Sequence, residues 1–164
     1  MGISPLGWLH TLGSLPAIPL AAYMLVRHGR ITPATRAGRA YFWFMLLGVL
    51  TVYPIAQQPV SAIVATTTLV ALLLGYGISR WPGAGRAGKY VETVSLSLSV
   101  FLLMLPTASE SLRRLPVGDP LAKDLKDPLL LGVQGALLLA LLAGVAWQVR
   151  AIRVRGAAWN GAGR

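Results

Sequence analysis

The sequence predicts an all-α integral membrane protein, a bundle of five transmembrane helices with its N-terminus outside and its C-terminus in the cytoplasm. Of the 164 residues, 55% are hydrophobic and 12% are charged, whereas a typical soluble domain has about 25% charged residues. The basic residues stand at the ends of long apolar segments, where membrane proteins place them. The transmembrane domain is predicted over 1–155, followed by a disordered cytoplasmic tail over 156–164.

Five apolar segments approach the ~20 residues that a helix needs to cross the hydrocarbon core. They are 6–26, 41–57, 60–79, 91–108 and 128–149. No lysine or arginine precedes the first, so it is predicted to be a retained span and not a cleaved signal peptide. Only Gln57-Gln58-Pro59 separates the second span from the third, which predicts that these two helices are antiparallel neighbours.

The charges between the spans predict the orientation. Segment 27–40 contains four arginines and segment 80–90 three basic residues, both without an acid, and four more arginines follow Val149. The connection 109–127 carries four basic and four acidic residues. Cytoplasmic loops keep an excess of lysine and arginine, so the acid-free segments are predicted to lie inside.

Two prolines interrupt the first span. Pro16 and Pro19 have no backbone N–H to donate, and each ring crowds the preceding helical turn. A kink near the middle of this span is therefore expected.

Several functional classes are excluded by composition. The chain has no cysteine, which excludes a disulfide framework, an iron–sulfur cluster and a thiolate zinc site. The net charge is +10, but no basic helix face or aromatic-spaced strand accompanies it, so no nucleic-acid partner is predicted. No Ser-His-Asp set, paired carboxylates or metal cluster is evident, so no catalytic residue and no metal ligand is assigned.

A polar cluster is predicted near the outer ends of three spans. His10 lies in the first span, Tyr53 in the second and Gln134 in the fifth, at similar depths. A polar group in lipid needs a partner, and ionisable residues inside a membrane are functional candidates. The sequence predicts that His10 lies within hydrogen-bonding distance of Tyr53 or of a polar group on the fifth span. Structural and functional roles for His10 both stay open.

Glu92 is the only acid inside a predicted span. Lys89 stands three residues earlier, on the same helical face. A local ion pair between Lys89 and Glu92 is predicted. The alternative is a proton or cation site in a small transporter or channel subunit.

Small residues at four-residue spacing predict close helix packing. The fifth span carries one such series and the first span a shorter one: Gly132, Ala136, Ala140 and Gly144, then Gly13 and Ala17. These stripes suit packing between spans of one chain or a seam between two copies of it.

No cofactor is predicted. His10 and His28 lie about 27 Å apart along a straight helix, so they cannot ligate one haem iron within a single chain. A histidine from each of two subunits, or His10 with another ligand, leaves a haem- or quinone-linked redox protein as an alternative.

The first hairpin resembles known families. His10 and the pattern Gly29-Arg30…Arg36-Ala37-Gly38-Arg39-Ala40-Tyr41…Met45 are similar to the first hairpin of small, uncharacterised bacterial membrane-protein families. Those families have a helical histidine followed by Gly-x-x-His-Arg-x-x-Gly-Arg-x-Tyr-x-x-x-Met. Thr35 stands where they carry the loop histidine. The resemblance implies a multi-pass protein of the cell inner membrane.

The sequence therefore leaves three hypotheses for the function. The leading one is a non-enzymatic small subunit or assembly partner, with the lipid bilayer and either a second copy or a larger membrane complex as its partners. The others are the redox protein that uses His10 and the transporter or channel subunit that uses Glu92.

Overall fold

In a computed structural model the described part of the chain is all-helical. The structure describes residues 5–54, 59–116 and 119–161, without the side chains of 5–8, 11 and 155–161. Six α-helices and one 3₁₀ turn are present in these ranges: α1 Pro5–Ser14, α2 Ala17–His28, α3 Arg36–Val52, α4 Pro59–Ser79, the turn Pro82–Ala84, α5 Gly85–Arg114 and α6 Pro128–Gly161.

The first predicted span is divided into α1 and α2. The break falls at Leu15 and Pro16, between the two helices. Pro16 has no N–H to continue the hydrogen bonds of α1, but its carbonyl accepts from the N–H of Leu20 at 3.3 Å and so supports the first turn of α2. The expected interruption is found, and it separates two short helices completely.

Three helical segments of the described chain are long and apolar enough to cross a membrane by length and composition. They are Pro59–Ser79, Pro82–Arg114 and Pro128–Val154. The helices of the first two predicted spans are shorter: α1 has 10 residues, α2 has 12 and α3 has 17. Helix α6 continues to Gly161, whereas the sequence predicts disorder from 156, and 162–164 lie outside the described residues.

Helices α3 and α4 run antiparallel, and so do α5 and α6. Tyr53, at the end of α3, bonds to Thr66 in the first half of α4. Gly38, at the start of α3, accepts a bond from Tyr76 near the end of α4. This agrees with the short connection between the second and third spans, although 55–58 lie outside the described residues. The hydrogen bonds between α5 and α6 have the same reversed order.

The apolar core is formed by α2, α3, α4 and α5. Its fully buried large side chains are Met24, Tyr41, Leu72 and Leu96, with Tyr76 beside them. Helix α6 lies outside this core, since 6% of its apolar window is buried, against 33% for α4. The bundle therefore has a packed centre of four helices and a peripheral α6.

Gly38 of α3 lies in close contact with the loop before the helix. A Cβ atom at this position would lie 2.1 Å from the carbonyl oxygen of Thr32, so a side chain of any size requires the loop to move. The N–H of Gly38 bonds to the Thr35 hydroxyl at 3.0 Å, which caps α3. Gly38 thus fixes the start of α3 against the loop.

We predict that Gly38→Ala destabilises the protein by about 1–3 kcal/mol, the usual range for overpacking. Gly77→Ala is the matched control, because Gly77 is also a helical glycine but a Cβ there meets no atom within 4 Å. The control should be neutral or stabilising by up to about 1 kcal/mol, the helix preference for alanine over glycine. Thermal unfolding in mild detergent measures both, and equal midpoints would contradict the close approach.

Candidate functional site

The loop from α2 to α3 begins with a left-handed turn at Gly29. Gly29 caps α2 with φ of 71°, a conformation that glycine adopts at little cost, and its N–H bonds to the carbonyl of Leu25 at 2.9 Å. Further along, Thr35 is the N-cap of α3. Thr35 therefore has a structural role at the start of α3, where its hydroxyl accepts from the N–H of Gly38.

Three helices meet at Gly29 through one glutamine. The Nε2 atom of Gln148 on α6 donates to the carbonyl of Gly29 at 2.9 Å. The Oε1 atom of the same side chain accepts from the hydroxyl of Ser97 on α5 at 2.8 Å. Arg30 then lies beside Glu92 of α5. We name Gly29, Arg30, Glu92, Ser97 and Gln148 the basic-end junction.

Glu92 has a different partner from the predicted one. Its Oε1 atom lies 3.7 Å from Nη1 of Arg30, while the exposed Lys89 acts on the charge of Glu92 more weakly than Arg30 does and forms no ion pair of 4 Å or less with it. Helical spacing correctly places Lys89 on the same face of α5 as Glu92. It carries no information about Arg30, which belongs to the loop between α2 and α3. The glutamate is paired across helices and 13% of its side chain is exposed.

Two buried tyrosines join the core helices. The hydroxyl of Tyr76 donates to the carbonyl of Gly38 at 2.5 Å. The hydroxyl of Tyr41 lies 2.9 Å from that of Ser99, and because Ser99 donates to the carbonyl of Leu96, Tyr41 is the donor. The sequence predicts neither bond, because a tyrosine in an apolar segment is typical of an aromatic side chain at the membrane interface or in a packed core. Thr93 is buried, and its hydroxyl lacks a partner in the described structure.

His10 bonds to α3, but not to Tyr53. Its Nδ1 atom lies 3.0 Å from both the carbonyl of Gly48 and the hydroxyl of Thr51. A carbonyl only accepts, so Nδ1 carries the proton. Residues 51 and 53 point about 200° apart around a helix, so Tyr53 faces α4 while Thr51 faces α1.

The predicted cluster of three polar residues is not assembled. Tyr53 bonds to Thr66 at 2.9 Å, and Gln134 donates to the hydroxyl of Ser109 at 3.2 Å. Tyr53 and Gln134 each find a partner on the helix next to them in the sequence, whereas His10 of α1 finds its partners on α3. Similar depth in the membrane places His10, Tyr53 and Gln134 at one end of the bundle. Depth does not determine the direction in which a side chain points.

The small residues behave differently in the first and the fifth predicted spans. Gly13 packs against α3, since a Cβ there would lie 2.7 Å from Cδ2 of Leu47, and Ala17 is fully buried. On α6, Gly132 has no atom within 4 Å of a Cβ position and Ala136 is exposed. Ala140 and Gly144 border a groove. The stripe on α6 is thus left partly uncovered by the chain.

That groove lies between α2, α5 and α6 and has a volume of about 170 Å³. Its walls are apolar, with Leu25 from α2, Phe101 and Met104 from α5, and Leu137 and Leu141 from α6. Helix α6 is hydrogen-bonded to α5 at two places, Gln134 and Gln148. The groove occupies the interval between them, where the facing residues of α6 are small or apolar.

The described residues contain no group of three or more histidine, cysteine, aspartate or glutamate side chains that could hold a metal ion. The features that these residues do offer are the basic-end junction, the His10 bond to α3 and the groove. The groove has an open volume of about 170 Å³.

We predict that Gln148→Leu destabilises the bundle more than Gln134→Leu. The first change removes two hydrogen bonds that join three helices, and the second removes one bond of 3.2 Å. Interhelical hydrogen bonds in membrane proteins contribute about 0.6 kcal/mol on average and at most about 1.7 kcal/mol, so a difference of roughly 1 kcal/mol is expected. Thermal unfolding of both variants in the same detergent measures it, and a larger loss for Gln134→Leu would contradict the role of the junction.

Comparisons with known proteins give no further indication of function. No family model matches the chain, and neither a curated protein nor a solved structure matches it.

Proposed function

We propose that the chain is a multi-pass protein of the bacterial inner membrane with five spans, its N-terminus outside and its C-terminus in the cytoplasm. We propose further that it is a non-enzymatic small subunit or assembly partner of a larger membrane complex. One observation carries the proposal: the basic segments of the chain that contain no acidic residue lie together at one end of an apolar bundle.

Contacts between the helices bring the basic segments together. Arg30 reaches Glu92, shortly after segment 80–90, and Gln148 reaches Gly29 just before Arg150. The connection 109–127, with balanced charge, begins beside Ser109 at the opposite end. One end of the bundle is therefore strongly positive, which supports a cytoplasmic location for it.

The shorter helices fit beside the long ones. Helix α3 is about 25 Å long at the usual rise, close to the ~30 Å hydrocarbon core, and the pair α1 and α2 packs along it from His10 to Met24. Tyr41 of α3 is buried against α5. Helices α2 and α3 share a core with α4 and α5, which supports a position for them in the same layer of the membrane.

The exposed apolar side chains also favour a lipid environment. Large examples occur on α3, α4 and α6: Trp43, Leu50, Val70, Leu73, Leu139 and Leu142. Water would leave this surface unfavourably hydrated. Hydrocarbon would cover it without cost.

The role of a subunit is supported by the way the polar side chains are used. Tyr41, Tyr76, Ser97 and Gln148 form bonds between helices of the bundle, so their observed task is to hold the helices together. Helix α6, in contrast, presents a long apolar face with few contacts from its own chain. A face of this kind is suited to packing against another membrane protein.

A redox protein that uses His10 is the second candidate. The bond from Nδ1 to the Gly48 carbonyl leaves Nε2 as the nitrogen able to bind a ligand, and histidines that bind metal commonly have this arrangement. A transporter or channel subunit built around Glu92 receives less support, because that carboxylate is paired with Arg30.

We predict a topology that single cysteines can test, since the chain has no cysteine of its own. In intact cells with a permeable outer layer, a membrane-impermeant maleimide should label Val60→Cys and Leu125→Cys. Ala34→Cys should be labelled only after the inner membrane is opened. All three positions are exposed. Labelling of Ala34→Cys and Val60→Cys from the same side would exclude α3 as a span and overturn the five-span proposal.

We predict that α6 contacts another protein chain in the membrane. A photo-crosslinking amino acid at Leu139, which is 68% exposed on α6, should form a protein adduct, whereas one at Val70, 58% exposed on α4, should not. An adduct of twice the chain mass identifies a second copy, and any other mass identifies a different subunit. Equal results at both positions would contradict a partner surface on α6.

We predict that His10→Ala folds and is weakened by about 0.6 kcal/mol, and at most about 1.7 kcal/mol. Purified wild-type protein should show no haem absorbance. A haem band in the wild type that is lost in His10→Ala would replace the subunit proposal with the redox one.

A further inference from the structure

Three cationic side chains from separate elements lie around Glu92 at the basic end of the bundle. Nη1 of Arg30, in the loop between α2 and α3, lies 3.7 Å from the Glu92 carboxylate. Lys89 stands three residues before Glu92 on the same face of α5 and acts on its charge as well. Arg80 directly follows α4. We name Arg30, Arg80 and Lys89 the cationic cluster.

Helices α4 and α5 touch on either side of Glu92. A Cβ at Gly75 would lie 2.6 Å from the Leu96 side chain. A Cβ at Gly88 would lie 3.5 Å from that of Ile78. Glu92 comes four residues after one contact residue of α5 and four before the other, so all three share a face of the helix. Glu92 therefore faces the last turns of α4.

Tyr76 connects this contact with Arg80. Tyr76 is buried between the helices and interacts electrostatically with both Glu92 and Arg80. Arg80 follows Tyr76 by four residues, which places the two on the same side of the chain as it leaves α4. The packing of α4 on α5 thus brings Arg80 to the side of Glu92 where Arg30 and Lys89 also lie.

The donors of the cationic cluster are left available by the rest of the described chain. The 3.7 Å between Arg30 and Glu92 is longer than a hydrogen bond, and none of the three side chains donates a hydrogen bond to another described residue. Arg80 and Lys89 are exposed, and 33% of the Arg30 side chain is exposed. Guanidinium and ammonium groups only donate, so the ligand that suits them is rich in acceptor oxygens.

The charges at this place are not balanced. Three positive charges against the one negative charge of Glu92 leave a net charge of +2. The other four acids of the chain lie in the connection 109–127, which begins at the opposite end of the bundle beside Ser109. A second negative group beside the cationic cluster is therefore favoured.

An exposed tryptophan marks the level of the cationic cluster. Trp81 directly follows Arg80 and is 67% exposed. Tryptophan favours the boundary between the hydrocarbon and the headgroups of a membrane. The turn from α4 to α5 therefore suits the level at which the phosphates of phospholipids lie.

We propose that the cationic cluster binds an anionic phosphate group at the cytoplasmic surface of the membrane. Arginine and lysine form charge-assisted hydrogen bonds with phosphate oxygens, and basic sites beside membrane helices bind lipid headgroups in this way. A phospholipid headgroup and a soluble phosphate offer the same group, and the level of Trp81 favours the headgroup. The choice of a lipid rests on the membrane location proposed above, whereas the phosphate contact itself does not.

The experiment uses the purified full-length protein in a mild non-ionic detergent. Native mass spectrometry measures how tightly it retains dioleoyl phosphatidylglycerol and dioleoyl phosphatidylcholine, and equilibrium dialysis measures the binding of inorganic phosphate. A preference for phosphatidylglycerol identifies a lipid headgroup as the ligand, and binding of inorganic phosphate without that preference identifies a soluble phosphate. Equal retention of the two lipids together with no binding of phosphate would overturn the proposal.

Arg80→Gln and Lys89→Gln test the cationic cluster at two exposed positions. Each should lower the affinity for the anionic ligand by about fivefold, the effect typical of one basic residue at a membrane surface, with little change for phosphatidylcholine. Arg153→Gln is the matched control, the same loss of charge at an exposed arginine of the same end, on α6. An equal loss in the control would show that general surface charge attracts the ligand, and it would overturn the proposal.

Glu92→Gln tests the same site with the opposite sign. The amide has nearly the shape of the carboxylate, and the change raises the net charge beside the cluster from +2 to +3. Affinity for the anionic ligand should therefore rise by about fivefold, whereas a purely structural role for Glu92 predicts no gain. Thermal unfolding checks that the variant is folded, and an unchanged or lower affinity in the folded variant would overturn the proposal. If the variant does not fold, Arg80→Gln and Lys89→Gln decide the question.

Cysteine labelling separates this proposal from the proposed topology. If labelling follows the five-span pattern and the cluster variants bind like Arg153→Gln, the phosphate site alone is wrong. If Ala34→Cys and Val60→Cys are labelled from the same side, the membrane arrangement is wrong, and the binding measured in detergent still decides the phosphate site.

Discussion

The turn at Gly29 is the feature on which the arrangement of the bundle depends. A left-handed residue there ends α2 and turns the Gly29 carbonyl toward α6, where Gln148 donates to it. A buried polar side chain, out of reach of water, must find its partners within the protein. One glutamine side chain satisfies this need by joining α2, α5 and α6 at a single level.

The same requirement explains the other contacts between helices. Tyr41 and Ser99 pair inside the core, Tyr76 bonds to the backbone at Gly38, and His10 bonds to the backbone at Gly48. In each case a polar group from one helix meets a group on another, and the remaining surface is apolar. Such a bundle is held by a few directed bonds and by close packing at small residues.

Helix α6 differs from the rest because its bonds are widely separated. Gln134 and Gln148 attach it to α5 near two levels, and the residues between them leave a groove. Its outer face has few contacts with its own chain. A subunit surface is therefore proposed on α6, which the core does not enclose.

The sequence by itself determined the helical class, the apolar segments, the break at Pro16 and the alternation of basic and neutral connections, because these follow from local composition and from the chemistry of proline. It also placed His10, Glu92 and the small residues on helices. Only the tertiary structure decided their partners: Thr51 for His10, Arg30 for Glu92 and Leu47 for Gly13. Helical periodicity describes one helix at a time, whereas a partner on another helix depends on rotation and distance between helices, and these are set by the packing of the whole bundle.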